Sequence, residues 1–485
     1  MLCWRACLVL LLLAQAPVTT LAQNAPPMAP LSLADVLDSS GTYFPKILEA
    51  MARRQVAANE QQAALGAFDL VFNANSYSRA TGYYDGNVVG GKATQPLRPL
   101  GASVYGQYRL STGDFPIYED ENYTSRGGQA KLGVLFSLLR DRDIDKRRFG
   151  ESDARFALRD ADFDLLLTQI GVQQRASVAY WKWVAKGRSL TVYEELLRIA
   201  ERRDAGLRKQ IAKGAVARIY LTENQQNITR RQSLVMSAER DFRQAANALA
   251  LYYRDDKGEP KIAQRQALPQ TIAVESASSV PALIDPSRVD DALARRPEVS
   301  ALRNAIDRAG NRLQLRENAL RPRLDVRLEL AQGVGGVGEG GESRDATDTT
   351  VGLSFSMPLQ RREARARLEQ ARAKLDALRY QRQQLEDQIE LEVQDIVLSL
   401  RYAEQLARLA ELEVEQSQLL QVAEQQRFDS GASDLFLINV REQAVANAKV
   451  RAVAARLETQ IARANFDAAT IDLKRLRLKQ VAPLP

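Results

Sequence analysis

The 485-residue sequence contains no histidine, and its only two cysteines, Cys3 and Cys7, lie at its very start. Composition therefore excludes metal sites built on Cys and His, nucleophiles paired with His, and His general bases. Carboxylate or lysine chemistry remains compatible, but no motif sets two acids into a pocket, so neither catalytic residues nor a cofactor are expected. Beyond the first residues no stretch approaches the ~20 apolar residues that a membrane-spanning helix requires. Aromatic residues make up only 6% of the chain, little for thick globular cores.

What is present begins with Arg5, the apolar run Leu8 to Ala14, and small residues through Thr20-Leu21-Ala22. This is the pattern of a secretory leader, residues 1–22, whose apolar run is too short to span a bilayer. Its removal takes both cysteines with it. If the mature chain enters a membrane, it must do so as strands. The formal net charge is +7 with 26% charged residues. Basic and acidic residues interleave along helical stretches, as on a solvated face, so no nucleic-acid partner is expected.

The chain repeats itself after about 218 residues. Leu132-Gly133-Val134-Leu135-Phe136-Ser137-Leu138 matches Val351-Gly352-Leu353-Ser354-Phe355-Ser356-Met357, and Lys213-Gly214-Ala215 matches Ser430-Gly431-Ala432. Each half reads as a helix, a strand, a loop, a strand, a very long helix, a glycine turn and a returning helix. The expected layout is a first repeat over 23–253, a linker or equatorial segment over 254–286, a second repeat over 287–477 and a tail over 478–485. The long helices, expected over 141–212 and 361–428, would each extend roughly 100 Å at 1.5 Å per residue. Leu368, Leu375, Leu385, Ile389, Val393, Ile396, Leu400 and Ala403 form a narrow apolar seam of the coiled-coil kind. The returning helices (216–253, 434–477) and opening helices (31–66, 287–318) are about half as long. One of each stacks end to end against a long helix, giving a closed or nearly closed helical wall.

The strands alternate. Arg323, Asp325, Arg327 and Glu329 fall on one face, and Leu324, Val326, Leu328 and Leu330 on the other. Val351, Leu353, Phe355 and Met357 oppose Gly352, Ser354 and Ser356 in the same way. In the first half Phe68, Leu70, Phe72 and Ala74 form one face, as do Ala130, Leu132, Val134, Phe136 and Leu138. Alternation alone also describes a half-buried sheet of a water-soluble protein. The leader and the rod-length helices favour a lipid-facing barrel with a polar lumen, lined by Arg323, Asp325, Arg327 and Glu329. Four strands cannot enclose a water-filled lumen, so a membrane location implies oligomerisation. Residues 79–128, rich in Tyr, Gly and Asn, read as a long external loop, within which 102–110 has some strand character.

Gly333-Val334-Gly335-Gly336-Val337-Gly338 spells a dinucleotide fingerprint, but a strand rather than a helix follows, which favours a hairpin loop. The basic runs Lys146-Arg147-Arg148 and Gln360-Arg361-Arg362 begin the long helices, as charge flanking a membrane boundary or as plain solvated helix starts. Gly214 and Gly431 cap the long helices and reverse the chain.

In this order and spacing the chain resembles the TolC-like outer-membrane factor (outer membrane efflux protein) family over nearly its whole mature length. The resemblance is carried by the duplicated plan, by Arg321-Pro322-Arg323-Leu324 leading into a strand, by Ser356-Met357-Pro358-Leu359 before the long helix, and by Gly431 to Lys449 with Asn447-Ala448-Lys449. It implies a mainly α fold, in which an α-hairpin barrel of long coiled coils joins a transmembrane β-barrel assembled from four strands per subunit, twelve in a homotrimer. It also implies docking to a periplasmic adaptor (membrane fusion protein) and to an inner-membrane RND or ABC transporter. The adaptor-facing tips would be Lys213, Gly214, Ala215, Val216, Ser430, Gly431, Ala432 and Ser433. Counted from the tip glycine, the constricting aspartates of the family's best-known members fall here on Leu437 and Val440. Asp434 and Asn439 are the nearest polar residues, and these four are the candidate pore constriction. The expected function is a passive exit duct for efflux or type I secretion across the periplasm and outer membrane. The alternative is a soluble periplasmic coiled-coil scaffold.

Overall fold

The computed structural model describes residues 29–270, 296–338 and 346–478, so the leader and the tail from 479 lie outside the described residues. Two short helices open the first half, α1 (Leu33–Tyr43) and α2 (Pro45–Leu65). They replace the single helix expected over 31–66, because Pro45 forces Phe44 into extended backbone and restarts the helix at its own first position. Strands β1 (Val71–Ser78), β2 (Asn87–Pro96), β3 (Ser103–Thr112) and β4 (Gln129–Ser137) follow, then the hairpin of α3 (Lys146–Ala212) and α4 (Ile219–Ala250). In the second half α5 (Pro297–Asn318) leads to β5 (Arg323–Gly333), β6 (Asp348–Ser356), α6 (Arg362–Asp429) and α7 (Leu435–Ala469). Residues 271–295, which include the start of the expected opening helix at 287, are outside the described residues.

The sheet corrects the strand count. It has six strands in the order β1-β2-β3-β4-β5-β6, every neighbour antiparallel. The four expected strands are β1, β4, β5 and β6. The additional hairpin, β2–β3, comes from residues 79–128, expected to be an external loop. β3 matches the stretch 102–110 that shows some strand character, whereas β2 has none in the sequence, because the faces of this hairpin are drawn from Gly90, Gly91, Ala93, Gly106, Thr94 and Gln107, which leaves little contrast between an apolar and a polar side. The turn joining them lies at the helix end of the sheet, where Arg98 pairs with Glu151 of α3 at 3.2 Å.

Register places side chains from all six strands on two faces. Phe72, Val89, Val104, Leu110, Leu132, Val134, Leu328, Leu330, Val351, Leu353 and Phe355 share one face, and no charged residue joins them there. Lys92, Arg109, Lys131, Arg323, Asp325, Arg327, Glu329 and Asp348 share the other.

α3 packs against α2 and α4 and also against α5 and α7, whereas α6 packs against α5 and α7. Both half-length stacks therefore lie along the long helices, as the helix lengths require. The main apolar core sits at the girdle of the rod, where Trp183 and Val184 of α3 meet Val36 and Leu37 of α1, Phe242 and Leu249 of α4, and Ala263 and Ala267. Trp183 stacks near Phe242 with ring centroids 6.3 Å apart. Gly187 lets this core close up, since a Cβ would lie 2.6 Å from a terminal methyl of Leu268, which would have to shift. No helix among the described residues is long and apolar enough to cross a membrane.

Candidate functional site

The two faces of the sheet differ in chemistry. On the apolar face Leu353, Phe72 and Val351 are 72%, 70% and 65% exposed, so the single chain leaves this face uncovered. On the charged face Glu329 is the hub. It receives the Tyr105 hydroxyl, faces Lys131 at 3.9 Å, and lies 3.9 Å from Arg327. Lys92 lies over the Tyr105 ring, 4.2 Å from its centroid. Gly133 makes room for that ring, because a Cβ there would collide with it. Nearer the helices, Asp325 accepts from Ser137 at 2.8 Å and from Arg323 at 2.6 Å. The four residues expected to share a polar face thus do so, and Lys92, Tyr105 and Lys131 join them from the other strands. The sequence does not single out Lys92, which lies in the stretch read as loop, or Tyr105, whose segment 102–110 shows strand character but no clear face.

At the far end of the rod the two tips are built alike. Gly214 and Gly431 have φ of +70° and +76°. The Ala215 amide donates to the Gln210 carbonyl and the Ala432 amide to that of Arg427, at 2.9 and 2.8 Å, and each glycine amide donates to a carbonyl three residues back. This is the Schellman arrangement, in which glycine takes the left-handed position without the cost a side chain would add. Lys213, Ala215 and Ala432 are exposed with the glycines. Val216 and Ser433 are half-buried, and Ser433 donates to Glu424 at 2.6 Å. Ser430 donates to the Arg427 carbonyl at 2.9 Å.

Of the candidate constriction residues, Leu437 and Val440 are 36% and 44% exposed on α7. Asp434 is exposed and caps α7, accepting from the Leu437 amide at 2.9 Å. Asn439 departs from expectation: only 4% exposed, it accepts from Arg203 at 2.8 Å inside the protomer. Its neighbour Glu442 joins the same cluster, bound by Arg203 and by Arg231, the latter at 2.8 Å. Arg231 is fully buried and also donates to the Leu196 carbonyl at 2.7 Å. Burial pulls its guanidinium below the usual value, and the Glu442 hydrogen bond opposes that shift. This cluster ties the first helical hairpin to α7 a few turns above the tips. Neither Arg203 nor Arg231 was legible as its partner, since they lie more than two hundred residues from Glu442.

Along α6 the expected seam is real. Leu368, Leu375, Ile389, Val393 and Leu400 are buried. On the opposite face runs a second apolar stripe, Tyr380, Leu391, Leu398, Tyr402, Leu409 and Leu420, left exposed. Its steps of eleven, seven and four residues bring successive members back to one face of a helix. Among the described residues no three or more Asp or Glu side chains are grouped so as to hold a metal ion.

Comparison with known proteins gives a consistent picture. A family profile described as "Outer membrane efflux protein" matches residues 289–470. Among solved structures, the Campylobacter jejuni CmeC outer membrane channel is similar with a TM-score of 0.63 at 13% identity, covering 95% of this chain and 93% of that one. The open state of the Neisseria gonorrhoeae MtrE outer membrane channel is similar with a TM-score of 0.63 at 14% identity, covering 90% and 88%. The outer membrane protein VceC of Vibrio cholerae gives 0.61 at 15% identity, covering 90% and 95%. At such identities the likeness is one of fold. No curated protein matches the chain in sequence.

Proposed function

We propose, since the chain belongs to the outer membrane efflux protein family of TolC-like channels, that three copies close head to tail into a passive exit duct. The barrel stands in the bacterial outer membrane and the helical tunnel in the periplasm. The duct performs no chemistry, and energy for transport is spent elsewhere.

One observation carries the closure. The edge formed by β6 and α6 is open, and so is the edge formed by β1, α2 and α4. β1 and β6 each have a single strand neighbour and run antiparallel to one another, so β6 of one copy can continue the ladder onto β1 of the next. α6, the helix that follows β6, carries the exposed stripe. α2, the helix that leads to β1, leaves Leu48, Met51 and Val56 exposed, and α4 leaves Met236 exposed. Such a contact joins two different surfaces, and it is satisfied without leftover edges only when the ring closes. The alternation of six strands is kept around the ring. Three copies would give a barrel of eighteen strands, with the apolar face toward lipid and Lys92, Arg323, Asp325, Arg327 and Glu329 toward water.

The tips around Gly214 and Gly431 are the surfaces for a periplasmic adaptor (membrane fusion protein), which links the duct to an inner-membrane RND or ABC transporter. Leu437 and Val440 form an apolar constriction in place of an acidic one, while Asn439 is withdrawn into the protomer. A water-soluble periplasmic scaffold is the competing reading, and it would leave Phe72, Val351, Leu353 and Phe355 facing water. Membrane fractionation with chemical crosslinking separates the two. A crosslinked trimer released from outer membranes only by detergent supports the duct, and a monomer in the soluble periplasmic fraction refutes it.

A further inference from the structure

Where β4, β5 and β6 run into the helices lies a cavity of about 580 Å³. It is bounded by the starts of α3 and α6, the end of α5, and Ser137 and Arg323 from the charged face of the sheet. Eight of its lining side chains are cationic and three acidic. The acids are already engaged. Asp141 receives Asn318 at 3.0 Å, Asp145 caps α3 through the Arg148 amide at 2.8 Å, and Glu363 pairs with Arg367 one turn on. Lys146, Arg147, Arg316, Arg361 and Arg362 remain, and none of the ion pairs among the described residues includes them. Arg147 carries a guanidinium nitrogen, Nη1, that is buried with no hydrogen-bond partner. α6, which begins at the cavity wall, has no side chain capping its first-turn amides.

Five cations line one cavity, Lys146 and Arg362 exposed and Arg147, Arg316 and Arg361 half-buried, so like charge is gathered there without a paired acid and an entering anion is favoured. The volume suits a small ligand or a headgroup, and basic pockets at a membrane boundary are suited to phosphate groups. We propose that this cavity is a binding site for phosphate-bearing anions, held by Lys146, Arg147, Arg316, Arg361 and Arg362. The two sources of such a group are a membrane phospholipid and a soluble phosphate compound in the lumen. This site rests on the reading of the chain as an outer-membrane channel, because that reading puts the junction of sheet and helices at the membrane boundary.

The test uses the full-length protein purified in a neutral detergent and its Arg147→Gln/Arg361→Gln/Arg362→Gln variant. A second variant, Arg372→Gln/Arg379→Gln, removes two cations of α6 that pair with Glu369 and Asp376 outside the cavity. Inorganic pyrophosphate binding is read by titration calorimetry. Retention of phosphatidylglycerol over phosphatidylcholine, after incubation with vesicles of each, is read by native mass spectrometry. Saturable binding of either probe to wild type and to the second variant, weakened tenfold or more in the triple variant, supports the site. Pyrophosphate alone identifies a soluble phosphate as the occupant, and phosphatidylglycerol alone identifies a lipid. Binding of neither probe to wild type, or equal binding to all three proteins, overturns it. A crosslinked trimer that conducts but binds neither probe removes this inference and leaves the channel reading intact.

Discussion

The two long helices are nearly equal in length, 67 residues in α3 and 68 in α6, yet α3 buries seventeen residues and α6 only seven. Both descend from the same position in the duplicated plan. They differ in neighbours: α3 is flanked on both sides within one protomer, and α6 ends the row. An edge helix in a water-soluble rod would be polar on its outer face. α6 instead carries Leu391, Leu398, Tyr402 and Leu409 there, each over 40% exposed, opposite its buried seam. An edge with two apolar stripes has the character of an unpaired interface, which is what the proposed ring would cover. The two hairpins are alike in plan, and their different burial separates one that is covered within the chain from one whose outer stripe is left open, the side on which the proposed oligomer would close.

The largest expected effect comes from spoiling the unfinished side. Leu398→Glu with Leu409→Glu should abolish the oligomer while leaving helical content unchanged, as read by crosslinking and circular dichroism. An intact oligomer would mean that this stripe faces solvent in the assembly. On the finished side, Trp183→Ala should cost the protomer about 3–5 kcal/mol in urea unfolding, because it empties the centre of the girdle core. A loss below about 1 kcal/mol would contradict the tight packing assigned to α3. Arg231→Ala tests the link between the hairpins. With Arg231 gone, the buried Glu442 keeps only Arg203 of its two cationic partners, and about 3 kcal/mol should be lost. An unchanged unfolding midpoint would show that the cluster contributes nothing to docking α7.

The smallest effect is one of pH. Burial first, and then Asp35, push the Tyr180 phenol up to about 12, and its hydroxyl donates to the Leu31 carbonyl at 2.9 Å. Because the folded state favours the neutral phenol, this contribution is complete below about pH 10 and lost as pH rises toward 12. Wild type should therefore lose stability between pH 10 and 12 more steeply than Tyr180→Phe, and parallel curves would contradict the assignment.

Much of this contrast was legible in the sequence. The repeat, the helix lengths and the tip glycines follow from spacing, and the alternation of Arg323 to Leu330 is so regular that its faces could be read directly. Of the β2–β3 hairpin only 102–110 shows strand character in the sequence, because strands with Gly90, Gly91 and Gly106 show little alternation until their neighbours supply the register. Its distance from Gly431 puts Asn439 among the candidate constriction residues. Its withdrawal depends on Arg203 and Arg231, which approach only when the two hairpins pack. The outer stripe of α6 was also missed, because a sequence carrying two seams on one helix reads first as its stronger one.

Single-channel conductance in planar lipid bilayers, measured on the crosslinked trimer, tests the duct most directly. Wild type should show discrete steps, and Leu437→Asp with Val440→Asp should change the current of its least conducting state. The absence of conductance from bilayer-inserted trimers, both of wild type and of a variant with Leu437 and Val440 reduced to alanine, would contradict the account.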